Sequence, residues 1–587
     1  MNGRQFGPKL TPDGACFRLW APAANHVEVL LPHPQPLRRG DDGWFSAEIA
    51  GARAGSHYKF RIDDEIDVPD PASAFQPGDV SGPSEIVDHT AYRWRAADWR
   101  GRPWHEAVVI EAHVGTFTQQ GTYSAMIGKL DHLASTGITA LELMPLADFA
   151  GKRNWGYDGV LWYAPDSAYG RPDDLKTLID EAHLRGLMVL LDVVYNHFGP
   201  EGNYLGRYAP SFFTDAQTPW GSAIDYRVKQ VRDFAIENAL YWLDEYRFDG
   251  LRLDAVHAIA EPGEVSMLHS LSKAVGEFAL KSGRHIHLVL ENDDNAAHLL
   301  DANEDPPRGR YRAQWNDDYH HAWHVLLTGE NHGYYRDYQS APLNDISRTL
   351  GSGFAYQGEA SAHRDGQTRG ESSGALPPIS FVNFLQNHDQ IGNRPLGDRL
   401  EAIADAKAIE AALAITLLAP MVPMLFMGEE WGSRAPFPFF CDFHGDLAEA
   451  VRNGRRKEFA GAYAKYGDEI PDPLDLSTVQ SAMLDWTSLD QEPGRKRLAL
   501  VRDLLAVRRR EIIPRLAGSS FGQAETAANG VLTADWRMGD GTNLRLAANL
   551  SARQIDRSNE MPGTAIWGSA SSSKMPPWSV FWHLDPR

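Results

Sequence analysis

Cysteine is nearly absent from this chain. Only Cys16 and Cys441 occur among its 587 residues, and neither has a CxxC neighbour. A disulfide-rich scaffold and a cysteine zinc site both need clustered cysteines, so neither is indicated. With 43% hydrophobic and 10% aromatic residues, the chain is instead predicted to fold around large apolar cores in a reducing compartment.

Positive charge is also in short supply. Lys and Arg together number 57 against 78 Asp and Glu, which leaves a net charge of −21. Because like charges repel, this balance argues against nucleic acid and anionic membranes as partners. An uncharged substrate is a more natural partner for this chain than either of these.

An apolar leader and a long hydrophobic run are missing as well. The first residues, MNGRQFGPKL, lack the apolar core of a signal peptide, which predicts a cytoplasmic protein. The longest apolar run, residues 411–427, is interrupted by Pro420 and Pro423. We interpret this run as a buried helix followed by a strand, because it is too broken for a membrane span.

The pattern of apolar residues divides the chain into three parts. Residues 1–95 contain short apolar runs between Gly, Pro and Asp turns, which predict a small β-sandwich. Residues 96–514 alternate short apolar runs with amphipathic helices, as parallel βα units do. Residues 515–587 return to short apolar runs and turns, so we predict a C-terminal all-β domain.

The middle part contains enough strand candidates to close a TIM (β/α)8 barrel. The candidates begin at Val108, Thr139, Met188, Asp249, His287, Ala313, Phe381 and Met424. Helices are predicted over residues 122–136, 174–185 and 231–246. The loops at 198–225 and 330–375 are long, and long loops over a barrel mouth usually form the substrate pocket.

The stretch DGLRLDAVH, residues 249–257, predicts a buried strand that brings one carboxylate to the barrel mouth. Side chains alternate along a strand, so Arg252 and Asp254 share one face. A nearby guanidinium favours the ionised carboxylate, which is the state a nucleophile needs. An isolated RxD is more often a structural ion pair, so the interpretation depends on what else lies at the same edge.

Polar residues follow several of the predicted strands, and strand ends meet at the active site of a TIM barrel. They are Asp192, Asn196 and His197 at the end of the third strand, Arg252, Asp254 and His257 at the end of the fourth, Glu291 at the end of the fifth, and His388 and Asp389 at the end of the seventh. Several acids around one pocket suit cleavage of a glycosidic bond, which needs an ionised carboxylate to attack and a protonated one to donate.

Their surroundings predict different roles for the acids. Asp254, beside Arg252, is predicted to stay charged and attack the anomeric carbon. Glu291 follows the apolar run HLVL and neighbours another acid, and both effects raise a carboxyl pKa. Glu291 is therefore our candidate general acid/base, and Asp389 with His388 is predicted to grip sugar hydroxyls.

The segments DVVYNH, GLRLDAVH, LVLEND and FLQNHD, in this order, resemble the four signature regions of the alpha-amylase family of glycoside hydrolases. The resemblance implies a retaining mechanism with Asp254 as nucleophile, Glu291 as acid/base and Asp389 as transition-state stabiliser. It implies that the Asp254 and Glu291 carboxyls stand about 5 to 5.5 Å apart.

The same resemblance implies a sugar-binding shell. Its residues are His197, Arg252 and His388 around the −1 sugar and Tyr157, in NWGYD, stacking on that sugar. Many amylases have Lys-His after the nucleophile, whereas this chain has His257-Ala258, so the contact toward the leaving group should differ. No acidic cluster with calcium spacing is visible near Asn196, so we expect neither a metal nor another cofactor.

A closer resemblance covers nearly the whole chain and rests on the segments FGPKLTPDGACFRLWAP, EAHVGTFT, NWGYDGV, DVVYNHFGPEGNYL, LENDDN, AQWNDDYHHA, FLQNHDQIGNR and LFMGEEW. Together they resemble those family members that cut the α-1,4 bond beside the terminal trehalose of maltooligosyltrehalose. This implies an N-terminal immunoglobulin-like domain and a functional partnership with the synthase that makes the substrate. A glycogen branching or debranching enzyme is the alternative. A noncatalytic glucan-binding protein is disfavoured, because it would have no reason to keep all the acids.

Other polar residues have simpler interpretations. Asp192 and Asn196 are predicted to organise the pocket floor, since buried acids are usually paired. Glu429 and Glu430 are predicted to lie at a solvated or hydrogen-bonded edge. Trp220 fits sugar stacking and core packing equally well. A metal site at His320, His321 and His324 is disfavoured, because further ligands are missing.

Overall fold

The computed structural model describes residues 4–218, 221–259, 266–301, 309–461, 467–556, 561–568 and 574–585, without the side chain of residue 468. At its centre eight parallel strands form a closed barrel. In chain order these are β1 (Val109–Ala112), β2 (Ala140–Leu143), β3 (Met188–Val193), β4 (Gly250–Leu253), β5 (His287–Leu290), β6 (Ala313–Trp315), β7 (Phe381–Asn383) and β8 (Val422–Phe426). All eight predicted strands are confirmed. Asp192 and Arg252 lie within β3 and β4, and the other polar residues predicted at strand ends come after the strands.

Helices fill the connections between the strands. Their bounds are Val114–Phe117, Tyr123–Ile127, Leu130–Thr136, Pro172–Leu184, Leu205–Tyr208, Lys229–Glu245, Met267–Ser282, Asp317–Thr328, Pro342–Ser352, His388–Gly392, Leu400–Ile403, Ala406–Leu418, Gly445–Glu458, Leu476–Ala482 and Glu492–Val507. The apolar run at 411–427 is confirmed as a buried helix passing into β8. Within the described residues, none of the helices is both long and apolar enough to cross a lipid bilayer.

The single helix predicted over residues 122–136 is two helices in the structure, Tyr123–Ile127 and Leu130–Thr136. The Thr122 side chain caps the first at the N–H of Ala125, and Gly137, with φ of 105°, ends the second. Between them the chain breaks at Gly128 and Lys129. Glycine is a poor helix former, which explains why the predicted single helix over 122–136 is wrong at this point.

The N-terminal part is the predicted β-sandwich. One sheet contains Lys9–Thr11, Gly14–Trp20, Arg38–Arg39 and Trp44–Ala50, and the other contains Val27–Leu30, Pro34–Pro36, His57–Ile62 and Ile66–Val68, with Ser84–Glu85 pairing to His57–Ile62. The two sheets meet through buried rings such as Phe17 and Tyr58, whose centroids are 5.0 Å apart. Phe6 packs edge-on against Phe234 of a barrel helix at 5.0 Å, which joins the sandwich to the barrel.

The C-terminal part is all-β, as predicted. Its main antiparallel sheet contains Ser520–Thr526, Val531–Arg537, Asn543–Asn549, Thr564–Trp567 and Ser579–Asp585, and Ile555–Asp556 pairs with Lys574–Met575. The buried indoles of Trp536 and Trp582 donate to the carbonyls of Leu350 at 2.9 Å and Ala414 at 3.1 Å. These hydrogen bonds dock the sheet against two barrel helices.

The long connections contain more structure than predicted. The segment 330–375 folds into a 3-10 helix, Gly333–Tyr338, and the helix Pro342–Ser352, so its description as a loop is wrong for these residues. Buried Ile346 and Leu350 explain the helix, because they give it an apolar face. The segment 198–225 contains a hairpin of Phe213–Thr218 and Gly221–Ile224, and Trp220 lies outside the described residues.

Candidate active site

Strand β4 delivers Asp254 to the mouth of the barrel. All residues of the strand are buried, and Asp254 follows it directly, with its N–H donating to the carbonyl of Val193 at 3.0 Å. The chain then turns sharply at Ala255, whose φ is 40°. This turn aims the N–H of Ala255 at Glu291 Oε2, 2.9 Å away, so the backbone of one strand end holds the acid of the next.

The Arg252 guanidinium is the centre of the site. Its Nη1 lies 2.6 Å from Asp192 Oδ2 and 2.9 Å from Asp254 Oδ1, and its Nη2 lies 2.7 Å from Glu291 Oε2. Trp315 packs beneath it, with the guanidinium carbon 4.1 Å from the ring centroid. The predicted pair of Arg252 with Asp254 is therefore present. No sequence pattern indicated that the same cation would also contact Asp192 and Glu291.

Burial acts in the same direction on two acids of the site, Glu291 and Asp389. Burial raises the pKa of Glu291, and the charge of Asp254 adds to this, while Arg252 opposes both without cancelling them. Burial likewise raises the pKa of Asp389, against the charge of His388 and with a further contribution from Glu291. Glu291 is thus favoured as a protonated donor over a wider pH range than an ordinary glutamic acid.

Residues at the end of β3 orient the nucleophile candidate. Asn196 Nδ2 donates to Asp254 Oδ2 at 2.9 Å. Tyr157 donates its hydroxyl proton to Asp192 Oδ2 at 2.5 Å, and burial raises the pKa of Asp192 to about 7. His197 Nε2 contacts the carbonyl of Tyr157 at 2.9 Å. These contacts agree with the structural interpretation of Asp192 and Asn196.

The end of β7 supplies His388 and Asp389. The His388 ring stacks on Tyr157 with centroids 4.9 Å apart and an interplanar angle of 20°. Asn393 Nδ2 donates to Asp389 Oδ1 at 2.8 Å. Trp315 lies between His388, at 6.2 Å, and the Arg252 guanidinium, so the β7 residues and the β4 residues belong to one site.

The carboxyls remain open to solvent. The side chain of Asp254 is 12% exposed and that of Glu291 is 18% exposed, and Asp389 and Tyr157 are half-buried. His257 is exposed, and its Nδ1 accepts from the N–H of Asp293 at 3.4 Å. A cleft of about 710 Å³ opens beside Asp389, lined by Gln390, Asn393, Arg394, Tyr334, Tyr335 and their neighbours. Asn393, which donates to Asp389, lines this cleft, so the cleft adjoins the β7 side of the site.

Glu111, on β1, is a residue that the sequence analysis missed. Its carboxylate contacts His388 Nδ1 and also accepts from the backbone N–H of His388 at 3.0 Å. The only local signal was an acid inside the apolar run VVIEA, which is costly to bury unless it is paired.

Two sets of polar residues lie outside the site. Glu429 and Glu430 are buried rather than solvated: Glu429 Oε2 accepts from the N–H of Phe426 at 2.9 Å, and Glu430 pairs with His132 at 3.0 Å. The three histidines at 320, 321 and 324 pack among tyrosines, and His324 pairs with Glu330 at 2.8 Å. In the described part of the chain, no group of three or more His, Cys, Asp or Glu is arranged to hold a metal ion.

Models of known families match three regions of the chain. The model described as alpha amylase, catalytic domain matches residues 93–212. The model of carbohydrate-binding module 48 (isoamylase N-terminal domain) matches residues 5–73, and a domain of unknown function, DUF3459, matches residues 519–582. These regions fall in the barrel, the sandwich and the C-terminal sheet respectively.

The fold agrees with solved structures. A crystal structure described as a putative alpha amylase from Salmonella typhimurium is 43% identical, with a TM-score of 0.93 and full coverage of both chains. A pullulanase from Paenibacillus barengoltzii is 18% identical with a TM-score of 0.74 over 100% of this chain and 96% of that chain, which shows a shared fold.

Curated relatives settle the family. The malto-oligosyltrehalose trehalohydrolase of Deinococcus radiodurans is 41% identical over 85% of this chain and 81% of its own length. That of Saccharolobus solfataricus is 40% identical over 82% of this chain and 83% of its own length. The branching enzyme GlgB of Pseudoalteromonas atlantica is similar over only 41% of this chain and 37% of its own length. The chain therefore belongs to the malto-oligosyltrehalose trehalohydrolase family, whose barrel is that of the alpha-amylase glycoside hydrolases.

Proposed function

We propose that this glycoside hydrolase cleaves the α-1,4-glucosidic bond next to the terminal trehalose of maltooligosyltrehalose, releasing trehalose and a maltooligosaccharide. The proposal rests on the family relationship. A malto-oligosyltrehalose trehalohydrolase is 41% identical to this chain over 85% of its length. The geometry around Arg252 supports the proposal, because the carboxyls of Asp254 and Glu291 both contact this guanidinium and both keep part of their surface open to solvent.

The proposed first step uses Asp254 and Glu291. Asp254 attacks the anomeric carbon of the −1 sugar, while Glu291 gives its proton to the oxygen that leaves with trehalose. Arg252 and Asn196, at 2.9 Å each from the Asp254 carboxylate, hold it in a fixed orientation. The products of this step are free trehalose and a glycosyl ester on Asp254.

In the second step water replaces the enzyme on the sugar. Glu291, now ionised, takes a proton from the water, whose oxygen bonds to the anomeric carbon as the ester to Asp254 breaks. Two inversions give overall retention of configuration. Asp389 stabilises the positive charge that the sugar ring develops in both transition states.

We further propose the sugar-binding roles of the surrounding residues. Tyr157, His197, Arg252 and His388 surround the −1 sugar, and the exposed His257 faces the leaving-group side beside Glu291. The cleft of about 710 Å³ next to Asp389 has room for further glucose units. Its tyrosines offer stacking faces for sugar rings.

The test is a product assay. Purified protein is incubated with maltooligosyltrehalose, and free trehalose is quantified. Rapid release of trehalose is expected, with much slower cleavage of a maltooligosaccharide of equal length. Equal rates on the two substrates would contradict the proposed specificity, and the Asp254→Asn variant serves as the blank.

Glycogen branching or debranching is the second candidate. It shares the barrel and the module-48 match, and the branching enzyme GlgB is 32% identical to part of the chain. Iodine staining of treated amylose and glycogen separates the candidates. A shift in the colour of the iodine complex without trehalose release from maltooligosyltrehalose would favour this alternative.

Three finer points accompany the proposal. We propose domain boundaries at residues 95/96 and 514/515. We also propose a functional partnership with the synthase that makes maltooligosyltrehalose, since that enzyme supplies the substrate. The cytoplasmic location stays a prediction from the sequence.

A further inference from the structure

Glu111 is a buried acid that the proposed mechanism does not use. It lies on β1, its side chain is 1% exposed, and His388 engages both of its carboxylate oxygens. Oε2 accepts from the backbone N–H of His388 at 3.0 Å, and Oε1 contacts the ring Nδ1. One carboxylate thus fixes both the backbone and the side chain of a residue at the end of β7.

The rest of the His388 ring is held by aromatic side chains. Tyr157 stacks on one face at 4.9 Å, and Trp155 meets the ring edge-on at 5.4 Å. Among the residues that the structure describes, none forms a hydrogen bond with Nε2 of His388. Since Nδ1 is occupied by Glu111, Nε2 is the atom left to meet a ligand in the pocket.

The charge balance around the ring favours the imidazolium. Burial lowers the pKa of His388, but the charge of Glu111 and its hydrogen bond outweigh burial, and the net shift is upward. Asp389 adds to the upward shift, Arg252 opposes it, and His113 is a second imidazole close enough to interact. Tyr157, the stacked neighbour, directs its hydroxyl to Asp192 instead.

We propose that Glu111 is a positioning residue: it holds His388 so that Nε2–H donates a hydrogen bond to a hydroxyl of the sugar bound between Asp254 and Asp389. The inference rests on the proposed function, because it needs a sugar in that pocket. The hydrogen bond is expected in both the ground state and the transition state. Because the backbone contact also ties the chain that carries Asp389 to β1, Glu111 links two walls of the pocket.

The test compares Glu111→Gln with the parent protein. Glutamine keeps the size of the side chain and can still accept from an N–H, but it removes the charge. We expect kcat/KM for maltooligosyltrehalose to fall roughly 10- to 100-fold, the usual effect of removing a carboxylate that orients a functional histidine. We also expect the alkaline limb of the kcat/KM profile to move to lower pH, because the imidazolium loses its proton earlier. A uniform loss of activity with an unchanged pH profile would mean a merely structural role and would overturn the proposal.

Two further variants keep the test specific. In a His388→Asn background the Glu111→Gln change should no longer shift the alkaline limb, whereas a persisting shift would show that Glu111 acts through another group such as Glu291. Glu111→Asp retains the charge, so its pH profile should stay near that of the parent even though its shorter side chain lowers kcat/KM. An acidic shift equal to that of Glu111→Gln would contradict the charge argument.

An activity-independent measurement separates this proposal from the proposed function. The histidine Cε1–H NMR signal that disappears in His388→Asn is followed through a pH titration. Its pKa should lie above that of an ordinary histidine in the parent protein and fall in Glu111→Gln. An unchanged His388 titration would overturn the role of Glu111, whereas absence of trehalose release would overturn only the proposed function.

Discussion

Strand β4 carries an aspartate at each end, and the two have opposite surroundings. Asp249 precedes the strand and is fully buried. It accepts from Trp99 Nε1 at 2.8 Å, the N–H of Val189 at 2.9 Å and His183 Nε2 at 2.9 Å. Asp254 follows the strand, contacts Arg252 and Asn196, and keeps 12% of its side chain open to solvent.

The difference shows how one strand serves two purposes. At the closed end every contact satisfies the carboxylate, and although burial alone would raise the pKa of Asp249, His183 and the hydrogen bonds lower it below its ordinary value. At the open end Arg252 and Asn196 each contact one carboxylate oxygen, and the exposed part of the side chain is left for a substrate. Acids at the lower rim of a TIM barrel thus stabilise, whereas acids at the upper rim react.

The largest expected effect is at the open end. Asp254→Asn keeps the volume of the side chain but removes the attacking carboxylate. We expect kcat to fall by at least about 10⁴-fold, as for other essential nucleophiles. Trehalose release under saturating substrate measures the loss, and an unchanged thermal unfolding midpoint shows that the fold is intact. Residual activity above one hundredth of the parent would remove Asp254 from the proposed role.

The second prediction concerns Glu291. Glu291→Gln should lower turnover of maltooligosyltrehalose by roughly 10²- to 10⁴-fold, because proton donation to the leaving oxygen is lost. An aryl α-maltooligoside with a good leaving group needs less proton donation and should form the glycosyl intermediate at a nearly normal rate. Pre-steady-state release of the aryl group measures that step. Equal damage to both substrates would contradict the acid assignment.

The third prediction moves to the closed end. Asp249→Asn leaves His183 and Arg284 without their buried counter-charge, and breaking a buried pair typically costs about 3–5 kcal/mol of stability. We expect a lower urea midpoint with kcat nearly unchanged at 25 °C, the reverse of Asp254→Asn. An Asp249→Asn variant that is as stable as the parent but inactive would contradict the idea that the acid at the closed end of β4 stabilises the fold while the acid at the open end reacts.

The smallest expected effect is a change with pH in the difference in stability between the parent protein and Asp249→Asn. The folded-state pKa of Asp249 lies below its unfolded value, so its stabilisation is complete above about pH 4 and is lost as pH falls through the folded pKa. The gap in urea midpoint between parent and Asp249→Asn should therefore narrow below about pH 4. Midpoints measured from pH 7 down to pH 3 test this, and a constant gap would contradict the assigned pKa direction.

Much of the fold could be predicted because short-range patterns of apolar residues indicate where strands and helices form. Short apolar runs alternating with helices gave all eight barrel strands, including the brief β6, and the run at 411–427 gave a helix and a strand. The failures were local as well. The break at Gly128 follows from the low helix propensity of glycine, and the helix Pro342–Ser352 forms on an apolar face within a segment that was interpreted as a loop from its length.

The sequence by itself indicated which polar residues stand at or near strand ends, because the barrel strands are short apolar runs and most of the polar residues come at the ends of those runs. Alternation along β4 also determined that Arg252 and Asp254 share a face. Only the tertiary structure decided that this arginine contacts Asp192 and Glu291 too, and that Glu111 reaches His388, 277 positions away. Such contacts depend on how the barrel closes, and closure brings together residues whose separation along the chain carries no local signal.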